Sequence, residues 1–290
     1  MCTLIALYRK IPGRWLVVAA NRDEYMDRPS EEPALRAGRE IPWLAPMDIR
    51  AGGTWLGLSQ EGVFSALTNL REPNPDPTRQ SRGHVVMDSL QARSAQEAIG
   101  KLMSIESGIH NPFNVFVADR ESAYLVTYRE EPRLQEIEPG VHVVGNSDPL
   151  EAGPGKGVTS KVDWVREQAN KIAGLPVAEV VDELAGLCRS HGAKDSPLDD
   201  VCVHVGDSYG TRSSILMELP ESASTASAAG KKSIGGSENK ASFEGRREGQ
   251  GGRGRLLYAA GPPCTAPFED YSSLLNELRQ APGYASSEYE

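Results

Sequence analysis

A cysteine at position 2 could act as both nucleophile and base. Removal of Met1, which is usual before a small residue, would leave Cys2 with a thiol and a free α-amino group on one Cα. An unperturbed α-amine has a pKa of about 7.7–8.0, so it can accept the thiol proton directly or through a water molecule. This arrangement suits attack on an amide or thioester carbonyl. Alone, a cysteine at position 2 is a weak signal.

Polar residues that could assist Cys2 stand where apolar segments end. Asp23 closes the second apolar segment, from which its carboxylate could hold and orient the Cys2 amine. Asn69 and Asn146 follow later apolar segments, and such amides can donate to an oxyanion, each contributing about 2.7–4 kcal/mol. Arg212 precedes another such segment, and a partly buried arginine beside a thiol favours the thiolate.

The elements that would position these residues form antiparallel hairpins and two blocks of helices. Apolar runs and turn residues predict strands at 3–8, 15–20, 52–58, 62–68, 114–118, 123–128, 141–145, 213–219 and 256–260. Helical periodicity predicts helices at 84–93, 95–103, 160–173, 177–190 and 268–279, with Ser94 as an N-cap. A Pro-rich stretch with Pro29, Pro33 and Pro42 separates the first hairpin from the second. This order differs from the βαβα alternation of a parallel sheet and predicts a mixed α+β domain.

The composition excludes several classes of protein. The 290 residues suffice for one large domain, and the net charge of -9 argues against nucleic-acid binding. The four cysteines form no CxxC or CxxCH pattern, and the five histidines show no metal spacing, so we expect no metal site. No export signal or run of about 20 apolar residues is visible. We therefore expect a cytoplasmic protein without a membrane span, in a reducing compartment.

Residues 221–254 differ in composition from the rest of the chain. They are rich in Gly, Ser, Ala, Lys and Arg and hold few large apolar residues. Such a segment cannot bury enough apolar surface to offset its ordering entropy of roughly 1–2 kcal/mol per residue. We therefore interpret it as a disordered insertion in a single domain spanning residues 1–290. A regulatory or partner-binding role for it is the alternative.

Ordered motifs along most of the chain resemble one known family. MCTLIALYRK, VVAANRDEYMDRPS, AGGTWLGL, GVFSALTNLREP, FNVFVAD, VVGNSDP and YGTRSSIL look like the blocks of the NRDE family, known in animals as the transport and Golgi organisation protein 2 family. The first motifs are also similar to the cysteine branch of the N-terminal-nucleophile hydrolases, which includes choloylglycine hydrolases and penicillin V acylases. This resemblance implies a four-layer αββα sandwich with two packed antiparallel sheets.

The resemblance also implies roles for individual residues. The nucleophile falls on Cys2, the carboxylate that orients the amine on Asp23, the two asparagines on Asn69 and Asn146, and the late arginine on Arg212. Those hydrolases carry an arginine where this chain has Ala20. We expect Arg22 to face the other side of the strand and not to replace it, which leaves the orientation of a substrate open.

Five further residues are candidates for substrate binding: Asn21, Arg22, Arg28, Trp55 and Arg71. The arginines could line a pocket for an acidic ligand, because a guanidinium matches carboxylate and phosphate groups. The alternative is that the arginines form surface ion pairs and that Trp55 belongs to the core.

Three functions remain open at this stage. The first is an amidohydrolase or acyl-transfer enzyme with Cys2 as nucleophile and no required cofactor. The second is a non-catalytic protein that binds or traffics haem, acyl-CoA or lipid, as the family resemblance implies, with haem as a cargo ligand held by Cys2 or a histidine. The third is an adaptor acting through residues 221–254. In the first two, the partner is a small molecule, namely an acyl amide, acyl-CoA or haem.

Overall fold

The computed structural model describes residues 2–149, 161–192, 196–221 and 254–282. The insertion predicted at 221–254 therefore lies almost wholly outside the described residues.

Fourteen strands and five α-helices make up the described part of the chain. The strands are β1 (Cys2–Tyr8), β2 (Arg14–Tyr25), β3 (Ser30–Arg36), β4 (Trp43–Asp48), β5 (Leu56–Ser59), β6 (Phe64–Asn69), β7 (Phe113–Ala118), β8 (Ala123–Tyr128), β9 (Pro132–Glu136), β10 (Gly140–Val144), β11 (His204–Val205), β12 (Tyr209–Pro220), β13 (Arg255–Ala259) and β14 (Glu269–Asp270). The helices are α1 (Gly83–Leu90), α2 (Ala95–Met103), α3 (Lys161–Ile172), α4 (Val177–Cys188) and α5 (Ser273–Gln280). None of the described helices is long and apolar enough to cross a membrane.

The strands form two antiparallel sheets of seven strands each. The first sheet has the order β10-β1-β2-β12-β13-β14, with β11 paired to β12, and the second runs in order from β3 to β9. In the first sheet β1 lies between β2 and β10, and β2 lies between β1 and β12. The central pair, β2 and β12, is long and carries a register shift between Thr211 and Ser213.

Three apolar cores stack the elements into four layers. Alternate residues of β1 and β2, such as Leu4 and Val18, face the second sheet and form the core between the sheets. The intervening residues, such as Ile5 and Val17, pack against α3 and α4. The other face of the second sheet packs against α1 and α2. This is the predicted αββα sandwich, and α5 adds Leu275 and Leu278 to the central core.

The predicted elements agree with the structure where the apolar pattern was strong. The hairpin of β7 and β8 is confirmed, and Ser94 caps α2 by accepting a hydrogen bond from the Glu97 amide. The Pro-rich stretch, for which no strand was predicted, contains β3 and β4. Pro33 is tolerated because β3 is an edge strand with an irregularity at that point. The last predicted helix begins five residues too early, because Glu269–Asp270 pairs as β14 before α5 starts.

A candidate active-site cleft at the start of the chain

A cleft of about 330 Å³ lies at the N-terminal end of β1, with further walls from the ends of β2 and β6 and from residues 51–55 and 76–83. The structure brings six of the predicted site residues to its wall. They are Cys2, Arg22, Asp23, Arg28, Trp55 and Asn69. Its volume lies at the lower end of the range of small-molecule sites.

Strand pairing places Cys2 next to Asp23. In the ladder of β1 and β2, Cys2 stands directly opposite Arg22, so the next residue of β2 lies just beyond the start of β1. The backbone of Asp23 forms a hydrogen bond to the Cys2 thiol. A free amine on Cys2 would therefore arise within the immediate surroundings of Asp23.

The Asp23 carboxylate is buried and held from two sides. Its side chain is inaccessible to solvent; Thr211 Oγ1 donates a hydrogen bond of 2.7 Å to Oδ1, and Lys161 Nζ lies 3.9 Å from Oδ2. Thr211 Oγ1 in turn accepts a hydrogen bond of 2.8 Å from the Val203 amide. Burial raises the pKa of Asp23 to about 6, although Lys161 and Thr211 both act to lower it. The carboxylate is thus poised to change protonation state near neutral pH.

The Cys2 thiol is half-buried, and burial raises its pKa above the ordinary value. The negative charge of Asp23 also raises the pKa, whereas Arg22 lowers it to a smaller extent. Arg22 therefore favours the thiolate, as expected of a nearby arginine, but burial outweighs its effect on the pKa of Cys2. Cys2 rests as a thiol, and its use as a nucleophile requires a base that takes the proton during attack.

Arg22 spans the gap between the two sheets. It is 4% exposed, its Nη2 lies 3.0 Å from Asp48 Oδ2, and its guanidinium carbon lies 4.5 Å from the centre of the Trp55 ring. Its Nη1 is buried and has no hydrogen-bond partner among the described residues. The expectation that Arg22 faces away from the side of Ala20 is wrong, because residues two apart on a strand share a face. Arg22 thus presents an unused donor at the wall of the cleft.

Asn69 is held at the cleft by its neighbours. Asn146 Nδ2 donates a hydrogen bond of 2.6 Å to the backbone oxygen of Asn69, and Asn146 itself does not line the cleft. Beneath them, fully buried Asn114 donates to the Gly145 and Ser147 carbonyls, at 3.3 and 3.2 Å. Of the two predicted oxyanion donors, Asn69 lies at the cleft and Asn146 positions it.

Three other predicted residues lie away from the cleft. Asn21 faces α4, where its Nδ2 donates to the Cys188 and Val201 carbonyls, both at 2.9 Å. Arg71 is exposed, and its backbone amide donates to Asn146. Arg212 is half-buried at the register shift of β12 and does not line the cleft. The roles predicted for these three residues find no support in their positions.

The structure adds further residues to the ten predicted site residues. Lys161 and Thr211 contact Asp23, Asp48 pairs with Arg22 and Arg28, and Arg79 and Arg82 line the cleft. Arg82 is mostly buried, and its pKa is lowered by that burial. Of these residues only Thr211 lies in a motif, YGTRSSIL. The others carry no local motif, so only the tertiary fold could reveal them.

Comparison with known proteins agrees with this description of the fold. The family described as Transport and Golgi organisation 2 matches residues 1–226. The Transport and Golgi organization 2 homolog of Mus musculus is 30% identical over 227 residues, which cover 70% of this chain and 81% of the mouse protein. The Homo sapiens homolog is 28% identical over the same coverage.

The fold is also similar to that of solved structures. A variant of the conjugated bile acid hydrolase of Clostridium perfringens superposes with a TM-score of 0.51, covering 96% of this chain and 94% of that one. At 12% sequence identity, this likeness concerns the fold alone. The N-terminal-nucleophile-hydrolase-like fold is thereby confirmed.

The buried carboxylate predicts a pH-dependent difference in stability between the wild type and Asp23→Asn. The native state holds the Asp23 proton up to about pH 6, whereas the unfolded chain releases it near pH 3.8. The stability that this proton contributes is therefore lost as the pH rises from about 4 to about 6. The wild type should therefore lose up to about 3 kcal/mol of its free energy of unfolding over that window, at about 1.36 kcal/mol per pKa unit. Asp23→Asn has no such proton to lose, so its stability relative to the wild type should rise by the same amount.

Urea unfolding of both proteins at a series of pH values measures this difference. Asp182→Asn, at an exposed ion pair with Arg255, is the control and should show no such window. A constant difference between Asp23→Asn and the wild type from pH 4 to 8 would contradict the raised pKa of Asp23.

Proposed function

We propose, on the premise that the chain belongs to the Transport and Golgi organisation 2 family, that it is a cysteine N-terminal-nucleophile hydrolase acting on an amide or thioester of a small acyl substrate. One observation carries the proposal. The Cys2 thiol and the buried Asp23 carboxylate meet in one cleft, at the paired ends of β1 and β2. An amine exposed on Cys2 by removal of Met1 would complete a nucleophile, a base and an orienting carboxylate.

The proposed reaction has two halves. In the first, Cys2 Sγ attacks the carbonyl carbon while the thiol proton passes to the α-amine, and a C–S bond forms. The tetrahedral intermediate then collapses, the bond to the leaving amine or thiol breaks, and the ammonium returns the proton to that group. In the second half, the α-amine deprotonates a water molecule that attacks the Cys2 thioester. The second tetrahedral intermediate then collapses, the C–S bond breaks, and the ammonium returns the proton to Cys2 Sγ, which releases the carboxylic acid and restores the thiol.

The surrounding residues support both halves. Ionised Asp23 stabilises the ammonium that forms during attack, so the rate should rise as the pH passes about 6. The Asn69 amide stands at the cleft wall as the candidate oxyanion donor. The raised pKa of the Cys2 thiol fits a mechanism in which the proton moves during attack and no thiolate is stored beforehand.

The arginines of the cleft indicate a substrate with an anionic group. Arg22 offers its unused Nη1, and Arg28, Arg79 and Arg82 line the same cleft. Guanidinium groups bind carboxylate and phosphate through paired hydrogen bonds. We therefore favour an acyl substrate that carries a carboxylate or phosphate near its scissile bond.

The same observation favours acyl-CoA binding without turnover as the second candidate function. The phosphates of CoA would meet the cleft arginines, and the thioester would lie near Cys2. Haem as a cargo ligand is a weaker variant of this candidate. None of the described histidines lines the cleft, so an axial ligand from this site would have to be Cys2.

Replacement of the nucleophile tests the hydrolase. A panel of acyl-CoA thioesters, N-acyl amino acids and simple acyl amides is incubated with the wild type, Cys2→Ser and Cys2→Ala. We expect hydrolysis of at least one class of substrate, with a fall of at least about a thousandfold in both variants, as for other lost nucleophiles. Cys188→Ser, with its thiol buried in α4, should keep the wild-type rate. Equal rates for the wild type and Cys2→Ala would contradict the proposal.

Replacement of Arg22 tests the anion site, whether or not turnover occurs. Arg22→Met should weaken the binding of an acyl-CoA or N-acyl amino acid by about ten- to hundredfold in calorimetry, because charged hydrogen bonds contribute about 1.5–3 kcal/mol. Asp48 keeps Arg28 as a partner at 2.7 Å, so the variant should fold. Arg50→Met, which removes an exposed ion pair with Asp27, should bind normally. Equal affinities for the wild type and Arg22→Met would contradict the anion site.

A further inference from the structure

Four metal-ligating side chains converge on the outer side of the first sheet, apart from the cleft. They belong to His191, Cys202, His204 and Cys264, and their ligand atoms all lie within 4.8 Å of one another. Cys202 is buried and Cys264 is half-buried, whereas both histidines are exposed to solvent. The cluster is therefore open to an ion from solution while its sulfur atoms are shielded.

The distances between three of these atoms are close to the edges of a zinc tetrahedron, and the shortest is about 0.1 Å below their range. Cys202 Sγ lies 3.5 Å from Cys264 Sγ, and His204 Nε2 lies 3.2 Å from Cys264 Sγ and 3.6 Å from Cys202 Sγ. Zn–S bonds of about 2.3 Å and Zn–N bonds of about 2.0–2.1 Å give tetrahedral edges of about 3.3–3.8 Å. The ring of His191 stands 5.2 Å from that of His204, in a position to supply the fourth corner.

The backbone holds the segments that carry these ligands. The Cys202 amide donates to the Ser190 carbonyl at 3.1 Å, which joins the segment of Cys202 to the end of α4 just before His191. His204 belongs to β11 and pairs with Gly210 of β12. Arg189 Nε donates to the Pro263 carbonyl, which fixes the residue before Cys264. The ligand set is thus assembled by the fold before any ion binds.

An acidic side chain stands behind one of the histidines. Asp200 Oδ2 lies 3.8 Å from His191 Nδ1, and Asp200 Oδ1 accepts a hydrogen bond of 2.7 Å from the Gly192 amide. Metal-bound histidines commonly contact a carboxylate through their other ring nitrogen, which fixes the ring and its tautomer. With Nδ1 towards Asp200, His191 would offer Nε2 to the cluster.

We propose that His191, Cys202, His204 and Cys264 form a structural zinc site. Two thiols and two imidazoles in a tetrahedral arrangement are the ligands of a Cys₂His₂ zinc site. Binding of the ion releases the two thiol protons to solvent. Because four protein ligands fill the coordination sphere, the site has no open position for catalysis.

The proposed ion would hold in place the segment 202–204, which is linked to the cleft through hydrogen bonds. Cys202 and His204 flank Val203, whose amide donates to Thr211 Oγ1, and Thr211 donates to the Asp23 carboxylate. The ion would also join this segment to the chain that follows β13, through Cys264. We expected no metal site because no metal-binding spacing is visible along the sequence. The fold brings the four ligands together from three separate parts of the chain, which local spacing does not reveal.

Metal analysis of the full-length protein tests the site. The protein is purified under reducing conditions without chelator, and its zinc content is measured by inductively coupled plasma mass spectrometry. We expect about one zinc per chain. After exchange into Co²⁺, we expect the thiolate-to-cobalt charge-transfer band and the intense d–d bands of a tetrahedral site. Cys264→Ser should lower the zinc content at least tenfold, whereas Cys188→Ser, the thiol control outside the cluster, should retain it.

A second variant keeps the test decisive if Cys264→Ser fails to fold. His191→Gln changes an exposed side chain, and its zinc affinity against a chromophoric chelator should fall at least tenfold while its circular dichroism stays native. Zinc far below one per chain together with no cobalt spectrum would overturn the proposal. A Cys202–Cys264 disulfide in the protein purified under reducing conditions, or equal zinc affinity of His191→Gln and the wild type, would also overturn it.

Discussion

A buried carboxylate at the end of a central strand is the constraint on which the rest of the site depends. Asp23 is almost fully removed from solvent, and an isolated charge in such a place is expensive. Lys161 from α3 and Thr211 from β12 reduce that cost, and the Val203 amide fixes Thr211 in turn. The helix layer and a neighbouring strand thus each supply a side chain that stabilises the one carboxylate beside Cys2.

The two sheets supply different residues of the cleft. The first sheet supplies the nucleophile and its orienting carboxylate from adjacent strands, so their separation is set by the backbone ladder. The second sheet supplies Asn69, at the end of β6, and Asp48, which holds Arg22. Because Arg22 and Asp48 come from different sheets, their ion pair also connects the sheets where the cleft opens. The proposed acyl chemistry and the anion site therefore share one interface.

The sequence was sufficient for some residues at strand ends and insufficient for those that meet only through the fold. Asn146 and Arg212 also flank apolar segments, yet neither lines the cleft. Cys2, Asp23 and Asn69 were predictable because each follows or opens a clear apolar segment. Lys161, Asp48 and Arg82 carry no local pattern, and their contacts depend on how the layers stack. The same reason hid the His191, Cys202, His204 and Cys264 cluster, and β3 and β4 were hidden because their prolines suggested a loop.

The central claim is that Cys2 is a nucleophile activated by its own amine, and mass spectrometry of the purified protein tests it most directly. The intact mass shows whether Met1 is absent. Peptide mapping after treatment with limiting iodoacetamide ranks the four cysteines by their rate of alkylation. The account predicts loss of Met1 and fastest alkylation at Cys2 once the pH exceeds about 8, where the amine is unprotonated. Retention of Met1, or a Cys2 no faster than fully buried Cys188, would contradict it.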